Sequence, residues 1–86
     1  MKSNTERTVH EIICTQLSLV PDIVTPEKYL SDDLGADLVD IVEIMMTLED
    51  KFGVVISEDD AEGLTTVGKI IDFLNGKEKI KSATQP

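Results

Sequence analysis

The chain has 86 residues, enough for one small domain with a thin core. It carries 17 acidic residues against 8 basic ones, for a formal net charge of −9. That field repels nucleic acid and anionic membrane and favours basic protein surfaces. No run of about 18 apolar residues exists to cross a membrane. The first eight residues hold no apolar core of a secretory signal. A soluble, cytoplasmic monomer is expected. The single Cys14 excludes an intrachain disulfide and reads as a small helix residue in a reducing compartment.

In chain order, Val9, Ile12, Ile13, Gln16/Leu17 and Val20 recur at spacings near three and four, which predicts an amphipathic helix over residues 8–19, ended by Pro21. The lone His10 reads as a surface residue on it. Residues 22–36 then form a long connection. A structureless loop of that length is unusual in a compact domain, so Ile23, Val24, Tyr29, Leu30 and Leu34 are expected to pin it to the helices.

Asp37 is placed to cap a second helix, its carboxylate accepting from free backbone N–H groups. That helix runs to about Phe52, with Val39, Val42, Met45/Met46, Leu48 and Phe52 as its apolar stripe and Gly53 as its stop. Residues 54–56 look like a strand but have no partner strand, so they read as a buried link. Ser57 caps a short helical turn through Glu62, ended by Gly63. Thr65 or Thr66 caps a last helix through Leu74, whose inward face is Val67, Ile70, Ile71 and Leu74. Asn75-Gly76 should stop it. The fold class is therefore all-α, a small bundle of three longer helices and one short one with a long first loop. Residues 1–76 form the domain and 77–86 a polar, frayed tail.

Charge is concentrated in the middle. Between Asp22 and Glu62 stand thirteen acids and only Lys28 and Lys51, a net −11 over 41 residues. Solubility alone explains acidity but not its concentration there. The run "EDDAEG" fails as a calcium loop. Glu58, Asp60, Glu62 and Gly63 fit positions 1, 3, 5 and 6, but position 12 is Lys69 where a bidentate glutamate is required. One cysteine and one histidine cannot make a zinc site, and no catalytic triad or phosphate-binding glycine loop is present. No catalytic residue is assigned.

The segment "DDLGADLVDIVEIMMTLEDKFGVVISEDDAEGLTTVGKIIDFLNG" resembles the acyl carrier protein family, and the likeness spans roughly residues 8–76. Bacterial carriers of fatty-acid synthesis read D-L-G-A-D-S-[LV]-D-x-V-E-L-x-M-x-L-E-x-x-F here, followed by I-x-[DE]-x-[DE]-A-E-x-[IL]-x-T-V. The resemblance implies a 4′-phosphopantetheine arm on the serine, carrying acyl thioesters and placed there by a separate transferase. In this chain that position is Leu38, beside Asp37, and a leucine has no oxygen to esterify. A dropped serine is a poor explanation. Val39, Asp40, Val42, Glu43, Ile44, Met46, Leu48 and Phe52 match without a gap, and one inserted residue would rotate them all by about 100°. Ser31 and Ser57 do not follow the pattern.

By resemblance, Asp37, Asp40, Glu43, Glu49 and Asp50 form an acidic recognition face for basic patches on fatty-acid-synthesis enzymes and on the phosphopantetheinyl transferase. Val42, Met46 and Leu64 are its apolar contacts, with core packing an equal reading for Val42 and Met46. Met45, Leu48, Phe52, Ile56, Ala61, Leu64 and Ile71 are candidates to line an acyl pocket. The expected function is a non-enzymatic carrier scaffold unable to take its arm. The alternative is a non-carrier interaction or regulatory module that binds carrier-using enzymes through the same helix.

Overall fold

The structure, a computed structural model, describes residues 3–84, and the side chains of residues 3–77. It contains four α-helices: α1 (Asn4–Leu17), α2 (Leu38–Phe52), α3 (Glu58–Gly63) and α4 (Val67–Thr84), with a 3-10 turn at Pro21–Ile23. The all-α architecture of three longer helices and one short one is as the sequence indicates. α1 packs against both α2 and α4.

α1 begins four residues earlier than its apolar spacing suggests. Ser3 accepts from the Glu6 backbone N–H, and Glu6 reaches back to Ser3 N, so a capping box sets the start. It also ends earlier. Ser18 turns left-handed (φ 54°), and the N–H groups of Ser18 and Leu19 both donate to Cys14 O. Pro21 opens the 3-10 turn instead of closing the helix. Val20 therefore leaves the inward face and is exposed, while Val9 and Ile13 are fully buried. His10 is half-buried, and its Nε2 donates to Pro21 O at 2.8 Å, tying α1 to the turn.

The long connection is pinned as expected by Val24, Leu30 and Leu34, with Ala36 also buried; Ile23 and Tyr29 remain about half exposed. Its carbonyls complete the start of α4. Val67 N donates to Lys28 O (3.2 Å) and Gly68 N to Pro26 O (2.8 Å), while Thr66 Oγ1 accepts from Lys69 N. Leu30 N bonds Thr65 O, and Tyr29 and Thr66 form an isolated antiparallel bridge. Helix N–H groups that lack intrahelical partners are thus satisfied by the loop, which holds it in place.

That close approach needs a glycine. A Cβ on Gly68 would stand 3.0 Å from Pro26 O, which cannot retreat without lengthening the 2.8 Å bond. Gly76, in the same helix, has open space where its Cβ would be. Gly76→Ala should therefore stabilise by about 0.5–1 kcal/mol from helix propensity. Gly68→Ala should lose that gain and destabilise by about 1 kcal/mol. Thermal melts of the two variants check this, and shifts in the same direction contradict it.

Two expectations need correction. The link at residues 54–56 is not buried throughout: Val54 and Ile56 turn inward, but Val55 is exposed, as alternation in an extended segment demands. Asn75-Gly76 does not stop α4, which continues to Thr84. The following Lys77, Glu78, Lys79 and Lys81 are good helix formers, and Lys77 Nζ lies 5.3 Å from the Phe73 ring one turn back. The tail expected to fray is helical through Thr84; its last two residues lie outside the described residues.

Val67, Ile70, Ile71 and Leu74 face inward from α4 as predicted, and they meet Ile44, Met45 and Leu48 of α2 and Val9 and Ile13 of α1 in one core.

Candidate functional site

The site is built on α2. Asp37 is extended (φ −91°), and its Oδ1 accepts from Asp40 N at 2.8 Å while Asp40 Oδ2 accepts from Asp37 N at 3.2 Å. Two carboxylates at the positive end of the helix satisfy free N–H groups and complement its dipole. Gly53, left-handed at φ 63°, closes the other end as anticipated.

Leu38 is the first helical residue and is 77% exposed. Val39, Val42 and Met46 are exposed too, so the apolar stripe of α2 splits. Ile44, Met45 and Leu48 go to the core, with Ile41 and Phe52 partly buried against it. Val42 and Met46 are thus not packed in the core. Leu38, Val42 and Met46, spaced by four, form one ridge along the helix.

That ridge borders a cleft of about 840 Å³ between α2, α3 and the loop around Tyr29–Asp32. Of the acyl-pocket candidates, Met45, Ile56, Ala61 and Leu64 line it. Leu48, Phe52 and Ile71 do not, and Leu48 lies at zero exposure in the core behind. Leu38 lines the cleft together with Leu64, which is itself buried and so presents only its cleft side.

The acids divide by environment. Glu43 and Asp50 are exposed. Asp40 is half-buried, and Gln16 of α1 donates from Nε2 to Asp40 Oδ1 (3.3 Å) and Glu43 Oε1 (3.1 Å). Sequence reading gave Gln16 no role, although its place beside Leu17 on the inward edge of α1 put it near α2. Glu49 is half-buried and accepts the Ile56 N–H at 2.7 Å. Away from α2, the Thr25 hydroxyl donates to Glu27 at 2.8 Å and holds that carboxyl below its ordinary range. This favours the folded turn above the unfolded carboxylate range and is lost as pH falls through the lowered one.

The hydroxyl-bearing residues around the cleft are Tyr29, Ser31, Ser57 and Thr65. Ser57 caps α3, accepting from Asp60 N at 3.0 Å. Thr65 Oγ1 lies 3.4 Å from Lys69 Nζ. No group of three or more metal-ligating side chains stands together, and no helix is long and apolar enough to cross a membrane, among the described residues.

A family model described as "Phosphopantetheine attachment site" matches residues 7–74, most of this helical unit. The chain belongs to the acyl carrier protein family. It is 46% identical over 69 residues to an acyl carrier protein from Thermosynechococcus vestitus, covering 80% of this chain and 85% of the relative. It is also similar to a solved structure of acyl carrier protein from Enterococcus faecalis. There the TM-score is 0.73 and identity 36%, over 84% of this chain and 91% of that one. Acyl carrier proteins are carriers rather than enzymes, their family cofactor is 4′-phosphopantetheine, and they work with the enzymes of fatty-acid synthesis.

Proposed function

We propose that this chain is an acyl-carrier scaffold that keeps the docking face of its family and cannot be loaded with the phosphopantetheine arm as its sequence stands. The observation that carries this reading is Leu38. It follows the capping Asp37 as the first residue of α2, the position of the serine in the family pattern, and it brings no oxygen to the cleft mouth. The residues present therefore do not fit a covalently attached arm. Ser57 is engaged as the cap of α3 and is a poor substitute.

The docking face is the outward side of α2. Asp37, Glu43 and Asp50 supply exposed charge, with Asp40 partly covered beside them. Val42 and Met46 supply exposed apolar contact, and Leu64 is reached only through the cleft. The partners are basic patches on fatty-acid-synthesis enzymes and on a phosphopantetheinyl transferase, met in the cytoplasm. Each exposed ion pair contributes about 0–1 kcal/mol, so several together steer encounter quickly and still permit release.

Calorimetric titration of the unloaded chain into a phosphopantetheinyl transferase tests the docking half of this reading. Binding should weaken as salt rises, because exposed charges are screened. Glu43→Lys should weaken it roughly five- to tenfold, since reversal replaces an attraction by a repulsion. An affinity that ignores both changes contradicts the assignment.

A second reading is favoured by the exposure of Leu38. With it, the ridge of Val42 and Met46 gains one turn of apolar surface towards the helix start. A non-carrier interaction module would use that longer ridge to hold carrier-using enzymes without transporting anything. Its mark is tighter docking of the Leu38 chain than of a Leu38→Ser variant.

A further inference from the structure

We infer that Glu49 is a positioning residue: it holds the link between α2 and α3, and thereby the α3 wall of the cleft, and does not act as one more steering charge on the docking face. Three backbone N–H groups converge on this one residue. Its carbonyl oxygen accepts from Gly53 (2.9 Å) and Val54 (3.3 Å), closing the helix. Its carboxylate then reaches past the turn to Ile56 N at 2.7 Å.

The third bond is what the link requires. Residues 54–57 belong to no helix or strand, so no backbone ladder supports them. A carboxylate accepting an N–H in a partly buried place makes a short, strong bond, and this one spans seven residues across the turn. It fixes Ile56 so that its side chain faces the cleft while Val55 points outward. It also sets Ser57, the next residue, where its hydroxyl caps α3. Glu49 and Ile56 line the cleft on the α2 and link sides, with Ala61 and Leu64 following on the α3 side. The position of α3 relative to α2 is thus referred to one carboxylate. The exposed acids that remain for a partner on and beside α2 are Asp37, Glu43 and Asp50.

This inference does not rest on the carrier reading, because it is measured on the free, full-length chain. The test compares the parent with Glu49→Gln, which removes the charge and keeps an acceptor oxygen, and Glu49→Ala, which removes both. Amide hydrogen exchange by NMR reads the Ile56 N–H directly. In the parent it should exchange at least about tenfold more slowly than an unstructured amide. Glu49→Gln should keep its rate within about threefold of the parent, and Glu49→Ala should lose the protection. The methyl resonances of Ala61 and Leu64 should move in Glu49→Ala and hold in Glu49→Gln. An unprotected Ile56 amide in the parent overturns the inference without any variant. So does a Glu49→Ala chain that matches the parent, or a Glu49→Gln chain that exchanges as fast as Glu49→Ala.

Discussion

Leu48→Ala should destabilise this domain by about 2–5 kcal/mol, the cost of lost apolar burial plus the cavity left behind. Leu48 has zero exposure and belongs to the core to which α1, α2 and α4 all contribute. A small domain of this kind holds only about 5–15 kcal/mol in total. The melting temperature should fall by roughly 8–40 °C on the usual scaling for this size. Leu38→Ala is the matching control. The same residue type, lost from an exposed site at the helix start, should change stability by no more than about 0.5 kcal/mol. Denaturant or thermal unfolding of both variants checks the contrast. A Leu48→Ala chain within about 1 kcal/mol of the parent would mean that the core is placed wrongly.

The second large effect is chemical and lies at Leu38. On the proposed reading, Leu38→Ser converts a chain that takes no phosphopantetheine into one that takes a single arm. Nothing in the local structure resists the change. The side chain is 77% exposed, and the start of α2 is held by the reciprocal bonds of Asp37 and Asp40, which do not involve it. Serine has a somewhat lower helix propensity than leucine, but in the first turn the difference is a few tenths of a kcal/mol. The variant should therefore fold like the parent. A hydroxyl at that place is the nucleophile the family uses, and on the proposed reading the neighbouring acids dock the transferase.

Much of this was legible in the sequence, and the residues show why. α2 was readable at both ends because its signals are local: a capping aspartate before the apolar run and a glycine after it. The inward face of α4 was readable because four residues at helical spacing leave no second choice. α1 was misplaced because its start is set by a polar capping box, Ser3 with Glu6, outside the apolar pattern. α4 ran past Asn75-Gly76 because a stop signal is a propensity, which the helix formers after it outweigh. In the candidate site, Leu38 and the acids of α2 were visible as positions, but their environments were not. Periodicity places Val42 and Met46 beside Met45 and Leu48 without deciding which side meets the core. Glu49 reads like Glu43 and Asp50 in one dimension. Only the return of the chain at Ile56 gives its carboxylate a different task.

The measurement that bears most directly on the account is intact mass after incubation with a phosphopantetheinyl transferase and coenzyme A, run in parallel on this chain and its Leu38→Ser variant. The account predicts that the Leu38 chain keeps its mass and the variant gains the mass of one phosphopantetheine arm. A gain of the arm by the Leu38 chain itself would contradict it, because another hydroxyl would then be the attachment point.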